Sequence, residues 1–114
     1  MRIIGTGSAL PRKVVTNEML AGFLDTSDEW IYPRTGIKTR HVITDENLED
    51  LGAEAVSKAL EMSGLNAEDI DLFVVSNVVS EYVTPSISCI IGEKLGLKCP
   101  MFDINCACPG FVYA

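Results

Sequence analysis

The chain has 114 residues, 47% apolar and 22% charged, enough for one compact domain with a single core and ordinary for a soluble globular protein. Its net charge of −7 excludes general nucleic-acid binding, which needs a basic surface. The opening Met1-Arg2-Ile3-Ile4 run is cut at once by Gly5, too short for a signal peptide, and no later run reaches membrane-spanning length, so the expected compartment is the cytosol with no membrane partner.

In chain order, Arg2–Thr6 reads as a first strand, ended by Gly5, Gly7 and Pro11. Thr16 or Asn17 can cap a short helix through Met19, Leu20 and Phe23. Ser27 can cap a second, whose leading Asp28 and Glu29 suit the positive end of its dipole and which Pro33 and Gly36 should stop. Lys38–Ile43 is a candidate strand. The clearest helix runs from about Asn47 to Ser63, with Leu48, Leu51, Ala55, Ala59 and Met62 on one apolar face and Gly64 as its stop. The continuous run Asp71-Leu72-Phe73-Val74-Val75 predicts a strand covered on both faces. Thr84-Pro85 should open another helix with Pro85 at its first position, burying Ile87, Ile90, Ile91 and Leu95 and closing at Gly96. Met101–Ile104 is a fourth strand, and Gly110–Ala114 the opening of a third long helix. Alternation of this kind predicts an α/β fold with a largely parallel sheet and helices on its faces. Functional residues then gather beyond the carboxyl ends of the strands, around Asn77–Thr84 and Asn105–Gly110.

Arg34, Lys38 and Arg40 cluster beside the only histidine, His41. A small basic patch on an acidic protein can hold one anionic ligand, and alternating strand positions can equally point charges at water. Cys89, Cys99, Cys106 and Cys108 should be thiols in a reducing compartment. They lack the paired Cys-x-x-Cys knuckles of a structural zinc site, so no metal is expected, and Cys89 and Cys99 read as buried core thiols.

Asp103-Ile104-Asn105-Cys106-Ala107-Cys108-Pro109-Gly110-Phe111 has the layout of a nucleophile turn. A strand delivers the chain to a bend, small residues admit a substrate, and the amides opening the next helix favour a thiolate and can bind an oxyanion. Pro109 loses no hydrogen bond in a first turn. On local chemistry alone, a nucleophile and a buried structural cysteine both remain open.

Gly5-Thr6-Gly7-Ser8-Ala9-Leu10-Pro11, Asp25-Thr26-Ser27-Asp28-Glu29-Trp30-Ile31, Arg34-Thr35-Gly36-Ile37 and Arg40-His41 closely resemble the N-terminal part of β-ketoacyl-acyl carrier protein synthase III. Thr84-Pro85-Ser86 and the Cys108 segment continue the resemblance in order, so that it covers essentially the whole chain. It implies a thiolase-like fold, with residues 1–114 forming an incomplete N-terminal half-domain that ends just after the nucleophile turn. It also implies a cysteine acylated from acyl-coenzyme A, which condenses with malonyl-acyl carrier protein as carbon dioxide leaves. Coenzyme A is a substrate here, and no cofactor is implied.

The same resemblance puts the nucleophile at Cys108, places Cys106 where alanine is usual, and assigns coenzyme A contacts to Thr26, Trp30 and Arg34. An indole can stack on adenine and a guanidinium can pair with phosphate or stack on the base. Pro33 departs from the small polar residue usual before that arginine. His41 does not occupy the family's catalytic histidine position and reads as structural. Thr84 stands where many relatives carry an aromatic residue limiting the acyl pocket of the neighbouring subunit, which implies room for primers larger than acetyl.

The family's catalytic histidine and asparagine belong to a later half, as does the strand that pairs its homodimer. The 114-residue chain alone is therefore expected to condense little or nothing. A related condensing enzyme of polyketide or secondary metabolism fits the same motifs, and a non-catalytic α/β binding or assembly module is the alternative of a different class.

Overall fold

The computed structural model describes residues 2–114. The chain divides into two compact units, Leu10–Asn47 and Met1–Ala9 with Leu48–Ala114.

In the Leu10–Asn47 unit, β1 (Lys13–Thr16) pairs antiparallel with β2 (Thr39–Val42), Val14 opposite His41 and Val15 opposite Arg40. The β-branched Val14 and Val15 suit a ladder. Thr16 is the N-cap of α1 (Asn17–Ala21), its hydroxyl accepting from Met19 N at 3.2 Å. Asn17, the alternative cap, is instead the unit's polar centre and 0% exposed. Its Nδ2 donates to Asp28 Oδ1 at 2.7 Å and Ile37 O at 2.8 Å, while Arg40 Nη2 donates to its Oδ1 at 2.6 Å. Every polar arm of a fully buried amide thus has a partner, as burial demands.

α2 (Asp28–Thr35) begins where expected, with Ser27 accepting from Trp30 N. Pro33 lies inside it and does not stop it. Proline removes only the bond to the carbonyl four residues back, and the following turn holds itself. Thr35 Oγ1 donates to Ile31 O, and Gly36 N to Tyr32 O at 2.8 Å. Gly36, at φ 70°, ends the helix. A carboxylate fixes this unit's last loop as well: Glu46 accepts from Arg12 N at 2.8 Å and from Thr44 N at 3.3 Å.

In the other unit, residues 2–6 are not a strand. A strand needs a partner ladder, and none is present for this segment among the described residues. The segment runs along α3 (Leu48–Ser63) so closely that a side chain at Gly7 would strike Ala55 O and one at Gly5 would strike Ala59 O. The glycines of Gly5-Thr6-Gly7 therefore serve close helix contact. α3 keeps the predicted span, but Leu48 and Met62 at its ends are exposed, and only Leu51, Ala55 and Ala59 of its stripe are half-buried. Met62 sulfur accepts from Thr6 N at 3.2 Å.

β3 (Phe73–Ser76) and β4 (Met101–Ile104) pair in parallel, Phe73 opposite Met101 and Ser76 opposite Ile104. α4 (Ile87–Leu95) packs on them and on α3. Its Ile87, 2% exposed, and Ile91 form the core with Leu97. Pro85 is not its first residue: Ser86 is the N-cap, accepting from Cys89 N. A hydroxyl satisfies an orphan amide that proline cannot, so the start moves two residues on. α5 (Gly110–Tyr113) is the helical opening expected over these residues.

Candidate active site

In the β3–β4 unit, parallel strands carry the chain toward one edge, where β4 ends at Ile104 and the Asn105–Pro109 turn leads into α5. Asn77 N donates to Ile104 O at 3.0 Å, extending the ladder beyond β3. Ala107 then turns with φ 48°, a left-handed conformation rare for a residue with a Cβ. The turn closes with Gly110 N donating to Ala107 O at 3.0 Å. A Cβ at Gly110 would overlap Ser76 Oγ, so glycine lets the start of α5 lie directly on the end of β3. Cys108, held on this bend, is exposed, and Cys106 is half-buried.

The helix beside the turn is tied to the same strand. Asp103 of β4 accepts from Ile87 N through Oδ2 at 3.1 Å and from Ser88 N through Oδ1 at 3.0 Å. A carboxylate thereby satisfies two first-turn amides of α4 and faces the positive end of its dipole. The sequence signal was an acid in an otherwise apolar strand, which must find partners when covered. Asn77, Ser80, Tyr82, Val83, Asp103 and Asn105 line a cleft of about 370 Å³ at these strand ends. Thr84 is exposed, in the connection that leads to α4.

Thr26, Trp30 and Arg34 belong to the Leu10–Asn47 unit. Thr26 is half-buried just before the cap of α2. Trp30 is 56% exposed and is not a plug for its helix. One turn on, Arg34 lays its guanidinium over the indole, 4.6 Å from the ring centre, and donates Nη1 to Trp30 O at 2.9 Å. Lys38 similarly covers Tyr32 at 4.9 Å. Arg40 does not extend this basic surface. Part-buried, it donates to Val15 O and Asn17 Oδ1, because the buried amide needs a donor for its oxygen. His41 Nδ1 lies 2.6 Å from Pro11 O, a structural contact.

Neither Cys89 nor Cys99 is the buried core thiol expected. Cys89 is exposed near the start of α4, where its sulfur accepts from Ser86 Oγ at 3.1 Å; the buried positions around it are Ile87, Ser88 and Ile91. Cys99 is half-buried. No group of three or more metal-ligating side chains occurs among the described residues, nor is any helix there long and apolar enough to cross a membrane.

No protein-family profile matches the chain. Individual relatives do. It is 50% identical over 115 residues to β-ketoacyl-[acyl-carrier-protein] synthase III of Clostridium acetobutylicum, covering 100% of this chain and 35% of that protein. The same enzyme of Clostridium perfringens strain SM101 is 53% identical over 114 residues, with 99% of this chain and 35% of the relative covered. The solved 3-oxoacyl-[acyl-carrier-protein] synthase III of Aquifex aeolicus superposes with a TM-score of 0.95 at 40% identity, over 99% of this chain and 37% of that one. The priming β-ketosynthase of the R1128 polyketide pathway follows at 0.93 and 38%, over 98% and 34%. The fold is thus that of the thiolase-like condensing enzymes, here as an incomplete half-domain. Within that class, the chain is similar along its whole length to β-ketoacyl-[acyl-carrier-protein] synthase III enzymes. It spans about a third of the length of the curated relatives it matches, 35% in each of these two.

Proposed function

We propose that this chain supplies the nucleophile and part of the coenzyme A site of a β-ketoacyl-acyl carrier protein synthase III. Cys108 attacks the carbonyl carbon of an acyl-coenzyme A, the carbon–sulfur bond to coenzyme A breaks, and the acyl group rests on Cys108. Condensation with malonyl-acyl carrier protein, with loss of carbon dioxide, then starts a fatty acid chain. The observation that carries this reading is the Cys108 turn, an exposed thiol on a constrained strand-to-helix bend in a chain similar to these enzymes.

Trp30 and Arg34 take the nucleotide end of coenzyme A. Their stacked arrangement supports this, because a cation already lying on an indole can shift to make room for adenine and offer its edge to phosphate. Thr26 contributes from the entry to the same helix. Thr84 borders the acyl pocket of a neighbouring subunit in a homodimer, and its small side chain favours primers larger than acetyl. The whole enzyme works in the cytoplasm, and these 114 residues alone do not condense. The likeness to a polyketide priming ketosynthase supports a second reading, in which the carrier protein or primer belongs to secondary metabolism.

Labelling the full-length protein with radioactive acyl-coenzyme A tests the central step. Wild type should retain one acyl group on the peptide containing Cys108, and Cys108→Ala none. Equal labelling of both would refute the assignment. Primer profiling of wild type against Thr84→Phe should narrow the preference toward acetyl.

A further inference from the structure

We propose that Cys106 and Cys108 form a reversible intrachain disulfide when the protein meets a hydroperoxide, so that the turn is a thiol-oxidation site with its own resolving cysteine. In a fully extended chain, two residues one apart stand about 7 Å apart at Cα, at the limit beyond which no disulfide forms. The left-handed curl at Ala107, φ 48°, shortens that span. The turn also folds back on itself: the Cys106 Cβ lies 4.0 Å from where a Cβ at Gly110 would stand, and the Gly110 N to Ala107 O bond closes the loop. Exposure assigns the order of events, because Cys108 is open to solvent and Cys106 half-buried.

The chemistry balances with hydrogen peroxide as oxidant. The Cys108 thiolate attacks one peroxide oxygen, the O–O bond breaks, and hydroxide leaves and takes a proton. Cys108 is now a sulfenic acid and the peroxide has been reduced to water. The Cys106 thiol then attacks the Cys108 sulfur. The S–S bond forms, the S–O bond breaks, and a second water leaves with the thiol proton. A dithiol reductant reverses the bridge by exchange. Without Cys106, the sulfenic acid instead takes up further oxygen, which a dithiol cannot remove.

The test treats full-length wild type and Cys106→Ala with hydrogen peroxide, alkylates the remaining thiols, and weighs the peptide spanning Cys106 and Cys108. Wild type should lose the mass of two hydrogens, resist alkylation at both sites, and regain both thiols with dithiothreitol. Cys106→Ala should gain the mass of two oxygens on Cys108 and regain nothing. Wild-type protein that accumulates sulfinic acid on Cys108 as the variant does, or that bridges Cys108 to Cys89, Cys99 or a second chain, would overturn the proposal. The wild-type masses decide this even if the variant folds poorly. They do so independently of acyl transfer, since no acyl group enters the measurement.

Discussion

At Ala107 a left-handed backbone carries a methyl group that costs about 1–2 kcal/mol. Replacing it by glycine removes that cost and loosens the unfolded chain by about 0.4–1 kcal/mol. Ala107→Gly should therefore be neutral to slightly stabilising in urea titration, and a marked loss would place the strain elsewhere. Gly110 behaves oppositely. The added methyl of Gly110→Ala meets Ser76 Oγ and should destabilise by about 1–3 kcal/mol, the range for overpacking. Ser76→Ala in the same chain should restore part of that loss, because the obstructing oxygen is gone, and an additive double mutant would exclude the contact. The turn thus spends one strained residue and one glycine to hold Cys108 on the strand end.

Among elements, the seat of α4 rests on Asp103. Its two charge-assisted bonds to Ile87 N and Ser88 N should make Asp103→Ala cost about 2–3 kcal/mol in chemical denaturation. Asp103→Asn, which keeps one acceptor oxygen, should cost less. In the Leu10–Asn47 unit the loop before α3 is held by Glu46, whose carboxyl is pushed down from 4.5 to about 2, first by the Arg12 N–H and then by its own backbone amide; burial opposes them, and the Thr44 and Asp45 amides add a little more. A depressed carboxylate adds stability above its unfolded value of 4.5 and loses it as pH falls toward about 2. Acid unfolding followed by circular dichroism should show this loss across that window. Glu46→Gln should flatten the slope there and leave the neutral-pH dependence as it was.

For the whole molecule, large apolar side chains stay uncovered: Phe111 is 86% exposed and Val83 99%, and a cleft of about 430 Å³ is lined by apolar residues including Ile3, Ile4, Leu60, Leu72 and Phe73. Patches of this kind seek cover. The 114-residue chain alone should form ever larger species with rising concentration in sedimentation velocity, and protein of the relatives' length should stop at a dimer. From sequence alone, periodicity gave α3 its span, a continuous apolar run gave β3 its place within two residues, and the ordered motifs carried the resemblance to β-ketoacyl-acyl carrier protein synthase III. These are properties of neighbours in the chain, which local sterics and apolar spacing record. Tertiary structure alone decided that residues 2–6 lie along α3 without a ladder, that Lys13–Thr16 pairs with β2, that Asn17 is a buried hub satisfied by Arg40, and that Asp103 caps α4. Each of these depends on a partner between 15 and some 60 residues away. A strand, a buried amide or a capping acid is defined by what satisfies its hydrogen bonds, and its own segment does not contain that answer.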